Sequence, residues 1–276
     1  MTVLISIFVV LLGLAFGSFL NVCISRLPWH ESVVAPRSRC PQCRTPILNR
    51  DNIPVLSWVL LRGRCRSCGA WIPMRYPLVE LVTPALFVLC YFEFGLTLHG
   101  VAFAVLCWLL LGLAVMDAET LRLPDAMTLP GIALGIFASS FQSGSGVVPI
   151  FSLRAAGESL LWAACAAALV LLIRGLYWLV RRREGIGLGD AKLLAMIAAW
   201  LGPWQAGLVL FLAVICAAAY GLGLIAWGGV RRSSENGFIA RIPLGAFLCA
   251  AAILAIFEGE SILSWYLHFF RYGRDL

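Results

Sequence analysis

Residues 101–117 read VAFAVLCWLLLGLAVMD, an apolar run that ends in an aspartate. Residues 187–201 read GLGDAKLLAMIAAWL, where a second aspartate opens an apolar run. Such runs are typical of membrane-spanning helices, which need about 20 apolar residues to cross the hydrocarbon core. A carboxylate at membrane depth costs about 3 kcal/mol on insertion scales, so an acid there usually has a function. We therefore interpret Asp117 and Asp190 as the candidate functional pair of a membrane protein.

The composition of the chain supports this interpretation. Of its 276 residues, 61% are hydrophobic and 13% are charged, which is about half the charged fraction of a soluble domain. The apolar runs predict an all-α polytopic membrane protein with about eight transmembrane helices. The predicted spans are residues 3–20, 78–94, 101–116, 126–141, 153–180, 190–201, 204–228 and 243–257. The sixth span is short for a crossing, so we expect it to tilt, to thin the bilayer or to lie inside the helix bundle.

Positive charges predict how these spans are oriented. Of the 21 Lys and Arg residues, nine lie between Arg26 and Arg75. Further clusters stand beside predicted spans, at residues 181–183, 231–232 and Arg241. Cytoplasmic loops carry such an excess of positive charge, so the pattern predicts termini outside the cytoplasm and both aspartates near the cytoplasmic membrane face. We expect the basic loop to contact lipid headgroups and expect no nucleic-acid partner, because topology already explains the charges.

The same pattern divides the chain into three expected parts. Residues 1–20 form the first transmembrane helix, residues 21–77 a cytoplasmic domain, and residues 78–276 a membrane-embedded domain. The first apolar run lacks the basic segment that precedes the core of a signal peptide, so we expect a retained helix. Gly13 and Gly17 form a small-xxx-small pair, which lets another helix approach closely.

Two buried carboxyl groups at one site suggest acid–base chemistry. Carboxyl groups within about 5 Å of one another cannot both ionise cheaply, so one keeps its proton. The pair then supplies a general acid and a general base, which can activate water and cleave a peptide bond without a covalent intermediate. Gly187 and Gly189 would let a substrate backbone approach Asp190. Pro124 stiffens the loop that follows Asp117.

A structural role for each aspartate stays open on the residues alone. Asp190 is well placed to cap the N-terminus of the sixth span. Lys192 or Arg122 could neutralise either acid. A single Gly-x-Gly-Asp motif is weak evidence for an active site.

The predicted cytoplasmic domain contains two Cys-x-x-Cys motifs, Cys40-Pro41-Gln42-Cys43 and Cys65-Arg66-Ser67-Cys68. Two such pairs suit a structural zinc ion, because each short turn aims two thiolates at one point. Stable disulfides are disfavoured in the cytoplasm, and a small domain gains from a metal the stability that its core cannot supply. A redox-active pair or free thiols are the alternatives.

Four stretches in order carry a family resemblance: residues 17–28 (GSFLNVCISRLP), residues 75–81 (RYPLVEL), Asp117 with the following Leu123-Pro124-Asp125, and residues 187–195 (GLGDAKLLA). The set resembles the prepilin peptidases of type IV pili and type II secretion, which are Gly-x-Gly-Asp membrane aspartyl proteases. The likeness extends from about residue 13 to residue 201. The later spans match mainly in hydropathy.

The resemblance implies an enzyme of the bacterial inner membrane. Asp117 and Asp190 would be its catalytic dyad, and Gly187, Gly189, Lys192 and Pro124 would support the site. The substrates would be prepilins or pseudopilins, which are cut on the cytoplasmic side after a short basic leader. Family members with the tetracysteine loop also methylate the new N-terminus with S-adenosylmethionine. Glu80 and Arg75 are candidates for a role in methyl transfer, or for an interfacial salt bridge.

Two other classes of function fit parts of the sequence. A proton- or ion-coupled transporter would also place carboxylates and broken helices within the membrane, but the chain shows no inverted repeat. A membrane-anchored zinc module that binds partners would leave the aspartates without a catalytic role. The resemblance favours the peptidase over both.

Overall fold

The computed structural model describes residues 2–142, 150–182, 187–226 and 242–272, and the chain folds as two compact units, residues 1–112 and 113–276. Its helices are α1 (Thr2–Arg26), α2 (Leu56–Leu60), α3 (Arg75–Phe94), α4 (Leu98–Thr120), α5 (Asp125–Ser139), α6 (Leu153–Arg181), α7 (Leu188–Ala226) and α8 (Leu244–Tyr272). Two-residue strands, Phe141–Gln142 and Ile150–Phe151, pair antiparallel. Residues 143–149, which lie between the spans predicted at 126–141 and 153–180, are outside the described residues. So are Arg183, Arg231, Arg232 and Arg241 of the predicted charge clusters.

The helices confirm the prediction of an all-α polytopic membrane protein. Within the described ranges, six helices are long and apolar enough to cross a membrane, namely α1, α3, α4, α6, α7 and α8. The apolar helix α5 has only 15 residues. Gly202 interrupts α7 with φ 77° and ψ 179°, a region that essentially only glycine adopts. This break divides α7 into two segments. Apart from the short helix α2, the described residues therefore contain eight apolar helical segments.

In the first unit, α1 and α3 pack closely at small residues. A Cβ atom on Gly13 would overlap with Cα of Pro84, and one on Gly17 would lie 2.9 Å from Cα of Glu80. Only a residue without a side chain allows this approach, which confirms the interpretation of the small-xxx-small pair.

Hydrogen bonds stabilise the loop between α1 and α3 and join the ends of these two helices. The N–H of Val55, just before α2, donates to Oε2 of the buried Glu80 over 2.7 Å. Trp58 of α2 donates from Nε1 to the carbonyl of Ile72 over 3.1 Å. Arg75 donates to the hydroxyl of Ser25 over 2.9 Å. Glu80 therefore acts as an acceptor for the loop backbone, a contact that the sequence did not predict.

The first segment of α7 forms the centre of the second unit. It packs against α5 and α6, and seven consecutive residues, Leu193 to Ala199, are buried. Helix α7 as a whole also packs against α8. This observation agrees with the expectation that the sixth span lies inside the bundle. The segment covers residues 188–201, which at about 1.5 Å per residue gives a rod of about 21 Å.

Side chains of neighbouring helices donate hydrogen bonds to a backbone carbonyl group at the end of this segment. A helix leaves its last four carbonyl groups without intrahelical partners. Ser139 of α5 and Ser159 of α6 both donate their hydroxyls to the carbonyl of Ala199, each over 2.8 Å. Inside an apolar bundle these two bonds replace the missing backbone donors.

Two predicted boundaries near the aspartates were wrong. The loop between the predicted spans 101–116 and 126–141 is reduced to residues 121–124, because α4 continues to Thr120 and α5 begins at Asp125. Leu121 ends α4 in a left-handed conformation with φ 54°. At the other end of the chain, α8 continues to Tyr272, far beyond the predicted limit at residue 257.

Candidate active site

Asp117 lies in the last turn of α4 and is buried, with 5% of its surface exposed. Its Oδ2 accepts a hydrogen bond of 2.9 Å from the N–H of Ala246, and the backbone of Gly245 also donates to this carboxylate. Both donors belong to the first turn of α8. The carboxylate of Asp117 is therefore held by the start of a helix that follows it by more than 120 residues.

Asp190 lies in the first turn of α7. The helix begins at Leu188, so Asp190 is not the capping residue that one alternative assumed. Its Oδ2 instead accepts a hydrogen bond of 3.3 Å from the N–H of Gly187. A side chain at the third helical position that reaches back in this way satisfies one of the free N–H groups of the helix.

Leu123 connects the surroundings of the two aspartates. A Cβ atom on Gly189 would lie 3.0 Å from Cβ of Leu123, and a Cβ atom on Gly245 would lie 3.0 Å from its Cδ1. Gly189 directly precedes Asp190, and Gly245 touches Asp117. The Leu123 side chain thus packs against both glycines, and its neighbour Pro124 fixes the start of α5 by accepting the N–H groups of Met127 and Thr128.

The second unit brings the two predicted carboxylates together. Asp117 and Asp190 are 73 positions apart in the sequence, yet their charges interact in the folded chain. Both charges also act on the fully buried thiol of Cys249 in α8. The site is assembled from the last turn of α4, the loop 121–124 and the first turns of α7 and α8.

Lys192 has a different partner from either aspartate of the pair. Its Nζ lies 2.6 Å from Oδ1 of Asp125, the first residue of α5, and both side chains are partly exposed. Exposed pairs of this kind contribute little stability, about 0–1 kcal/mol. The pair nevertheless joins the first turn of α7 to the first turn of α5, which are the elements that border the site.

The four predicted metal ligands form one cluster in the first unit. The same two backbone hydrogen bonds close each Cys-x-x-Cys turn. In the first turn, the N–H of Cys40 donates to the carbonyl of Thr45, and the N–H of Arg44 donates to the carbonyl of Cys40. In the second turn, the N–H of Cys65 donates to the carbonyl of Ala70, and the N–H of Gly69 donates to the carbonyl of Cys65. Arg44 and Gly69 are both left-handed, with φ 57° and 71°. The two turns therefore have the same construction, and each directs its two sulfur atoms to a shared point.

The distances within the cluster suit a tetrahedral metal ion. The four Sγ atoms lie within 4.8 Å of one another, and those of Cys40 and Cys68 are 3.9 Å apart. Four sulfur atoms at about 2.3 Å from zinc would be separated by about 3.8 Å. Hydrogen bonds from the Thr45 side chain and backbone lower the pKa of the Cys43 thiol to about 6, and backbone N–H groups of Cys68 and Ser67 lower the pKa of Cys65. A backbone hydrogen bond from Ala70 lowers the pKa of Cys68, but burial and the neighbouring sulfur atoms outweigh it and raise this pKa to about 11. Thiolates are the form that binds metal.

Three residues at the aspartate site were not identified from the sequence, namely Gly245, Ala246 and Cys249, and Leu123 was quoted only as part of a family motif. None has a side chain that indicates acid–base chemistry, and the residues of α8 act through their backbone. The available signal was Pro243 followed by a small pair, Gly245-Ala246, at the start of an apolar run. Pro near the first helical position followed by small residues is typical of a helix start that another group approaches.

Comparison with known families agrees with this arrangement. A model described as the bacterial Peptidase A24 N-terminal domain matches residues 11–94, which contain α1, the cysteine loop and α3. A model described as the type IV leader peptidase family matches residues 104–222, which contain both aspartates. The chain belongs to the type IV leader peptidase family. This membership does not favour the transporter or the partner-binding zinc module.

Curated relatives extend the similarity over most of the chain. Each of the three that follow is named prepilin leader peptidase/N-methyltransferase. The protein from Aeromonas salmonicida (strain A449) is 38% identical over 288 residues, covering 94% of this chain and 92% of its own length. The Myxococcus xanthus (strain DK1622) protein is 42% identical over 235 residues, covering 84% and 67%. The Pseudomonas aeruginosa protein is 36% identical over 285 residues, covering 94% and 92%. No solved structure gives a significant match.

Proposed function

We propose that this chain is a membrane aspartyl endopeptidase that removes the leader from type IV prepilins or pseudopilins and N-methylates the new N-terminus. Asp117 and Asp190 are its catalytic dyad. The observation that carries the proposal is the proximity of these two carboxylates in the second unit. Leu123 packs against Gly189, which precedes Asp190, and against Gly245, which touches the buried Asp117. The names of the relatives and the family membership support the same activity.

The chemistry of the dyad follows from its two carboxyl groups. One is a carboxylate and takes a proton from water, whose oxygen then attacks the scissile carbonyl carbon. The other is protonated and gives its proton to the carbonyl oxygen as the tetrahedral intermediate forms. Collapse of that intermediate breaks the C–N bond, and the leaving amine accepts a proton from the dyad. Gly187 and Gly189 leave room for the substrate backbone beside Asp190.

The same proposal sets the location of the reaction. The chain is a multi-pass membrane protein, and we place it in the bacterial inner membrane with the dyad facing the cytoplasm. The support is the group of nine positive residues between Arg26 and Arg75, since positively charged loops remain in the cytoplasm. A substrate would then enter with its apolar helix in the bilayer and its basic leader in the cytoplasm.

Methylation would depend on the first unit. Residues 21–77 form the zinc-binding domain in this proposal, with Cys40, Cys43, Cys65 and Cys68 as ligands. S-adenosylmethionine is the methyl donor in this proposal, which the N-methyltransferase in the relatives' names supports. When bound, it would supply a methyl group to a neutral amine: the C–N bond forms as the C–S bond breaks, sulfur leaves as a neutral thioether, and the methylated amine releases a proton.

Cleavage by aspartate variants tests the peptidase. Purified protein in detergent is incubated with a purified type IV prepilin, and the shortened product is measured for wild type, Asp117→Asn and Asp190→Asn. We expect either variant to lose cleavage by at least about 10³-fold, because neither can complete the acid–base pair. Glu158→Gln, which changes an exposed acid on α6 that pairs with the exposed Arg154, serves as the matched control.

Cleavage by the folded aspartate variants would contradict the proposed dyad. Thermal unfolding of each variant shows whether it is folded, and Asn is close in size to Asp. If both folded variants cleave the prepilin as fast as wild type, the dyad takes no part in the reaction.

A further inference from the structure

The first turn of α8 contacts Asp117 through its backbone. Gly245 and Ala246 are the second and third residues of this helix, and both donate hydrogen bonds to the Asp117 carboxylate, the latter over 2.9 Å to Oδ2. The match to the type IV leader peptidase family ends at residue 222, before this helix begins. The contact is therefore independent of the motifs that identified the aspartates.

Gly245 lies directly against the carboxyl group. A Cβ atom at this position would lie 2.9 Å from both Cγ and Oδ2 of Asp117, closer than real Cβ atoms approach other heavy atoms. Cγ of an aspartate is only two bonds from the backbone, so it cannot move aside as the tip of a long side chain would. Any larger residue at position 245 must displace either the carboxylate or the start of α8.

A helix start is a suitable partner for a carboxylate. The first N–H groups of a helix have no intrahelical acceptor, and the positive end of its dipole attracts negative charge. α8 has 29 residues, and Asp117 is buried against it. Hydrogen bonds to a charged group are roughly twice as strong as neutral ones, so the two donors fix the plane and direction of this carboxylate.

The same face of α8 reaches the second aspartate. Cys249 lies one turn after Gly245, so the two residues share a helix face. Its buried thiol experiences the charges of both Asp117 and Asp190. The contact between α8 and Asp117 therefore forms part of the surroundings of both carboxylates.

We propose that Gly245 and Ala246 are positioning residues of the peptide-cleaving site, where the first turn of α8 orients Asp117 for proton exchange with water. This inference rests on the proposed peptidase function. The structural alternative is that Asp117 merely caps α8. In that case, loss of the contact would reduce stability and leave the rate of each folded molecule unchanged.

Substitutions at Ala246 separate the two roles of the contact. Ala246→Pro removes the N–H donor and points the ring Cδ at Oδ2 of Asp117, so it displaces the carboxylate as well as breaking the hydrogen bond; proline itself is tolerated in the first turn of a helix. We expect kcat for prepilin cleavage to fall by about 10- to 100-fold with KM little changed, as for a lost hydrogen bond to a charged group. Ala246→Ser keeps the N–H and should retain most of the rate.

Glycine substitutions give the second comparison. Gly245→Ala should lower kcat by about 100-fold, the cost of displacing a reacting group by about 1 Å. Gly207→Ala is the matched control, because a Cβ atom there meets nothing within 4 Å and the position is far from α8's first turn in sequence. We expect Gly207→Ala to cleave as wild type does.

The outcomes distinguish this inference from the function on which it rests. Rates are divided by the folded fraction, which is measured from thermal unfolding. Wild-type kcat in Ala246→Pro, or an equal loss in Ala246→Ser, would overturn the role of the N–H group. If Asp117→Asn is inactive while Ala246→Pro and Gly245→Ala are fully active, only the role of α8 fails. If Asp117→Asn is itself fully active, the peptidase proposal fails.

Discussion

Asp51 and Arg66 form a two-pronged ion pair within the cysteine loop. Arg66, which lies between Cys65 and Cys68, donates from Nη2 to Oδ1 of Asp51 over 2.7 Å and from Nε to Oδ2 over 2.9 Å. Bidentate pairs of this type add geometric specificity to the attraction. The pair fixes the second Cys-x-x-Cys turn against the short helical turn that contains Asp51.

The ion pair predicts how metal retention depends on pH. Hydrogen bonding by Arg66 holds the pKa of the Asp51 carboxyl below its ordinary value. The ion pair therefore stabilises the folded loop fully above the unfolded-state pKa of about 3.9. This stabilisation is lost as the pH falls through the lower pKa of the folded state. Asp51→Asn should therefore speed zinc transfer to a chelator by the same factor at pH 6.5 and pH 8. Glu31→Gln is the control, and equal transfer rates in Asp51→Asn and wild type would contradict the prediction.

At the scale of helices, the carbonyl of Ala199 joins three elements. Ser139→Ala or Ser159→Ala alone leaves one hydroxyl on this oxygen, so each should lower the free energy of unfolding by less than about 1 kcal/mol. The double variant leaves a buried acceptor without a donor and should cost about 1–3 kcal/mol, more than the sum of the single changes. Denaturant unfolding in detergent measures the three values.

Ser264→Ala provides the comparison for this series. Its hydroxyl is exposed on α8 and bonds only within its own helix, to the carbonyl of Ser261. Simple additivity of Ser139→Ala and Ser159→Ala would show that the two hydroxyls do not share one acceptor.

The sequence predicted the elements of this fold better than their ends. Apolar runs such as residues 101–117 identify membrane helices because hydrocarbon length sets a minimum number of residues. The end of α4 was misplaced because its last turn, which contains Glu119 and Thr120, is polar yet remains helical. Asp117 and Asp190 were found because acids are rare in such runs. Gly245 and Ala246 were missed because backbone N–H groups look alike in every sequence.

At the scale of the whole molecule, the two units predict separable activities. The double variant Cys40→Ser with Cys68→Ser removes one ligand from each turn of the cluster, so bound zinc should fall. Methylation should then decrease more than cleavage, because the dyad is built entirely within residues 113–276. Metal content is measured by elemental analysis, and the two activities on prepilin and on pre-cleaved pilin.

A matched variant makes this test specific. Cys165→Ser with Cys216→Ser replaces two exposed cysteines on α6 and α7, far in sequence from the cluster. It should change neither metal content nor methylation. Unchanged zinc in the Cys40→Ser, Cys68→Ser variant would contradict the assignment of these ligands.

The shared oxygen of Ala199 also has a consequence for how this protein can diverge. Two serines on separate helices donate to one acceptor. Either serine can therefore be substituted while the other is retained, whereas loss of both is selected against. Natural variants should therefore show a dependence between positions 139 and 159, in which a lineage that has lost one hydroxyl retains the second. A survey of sequences from related bacteria would reveal this dependence.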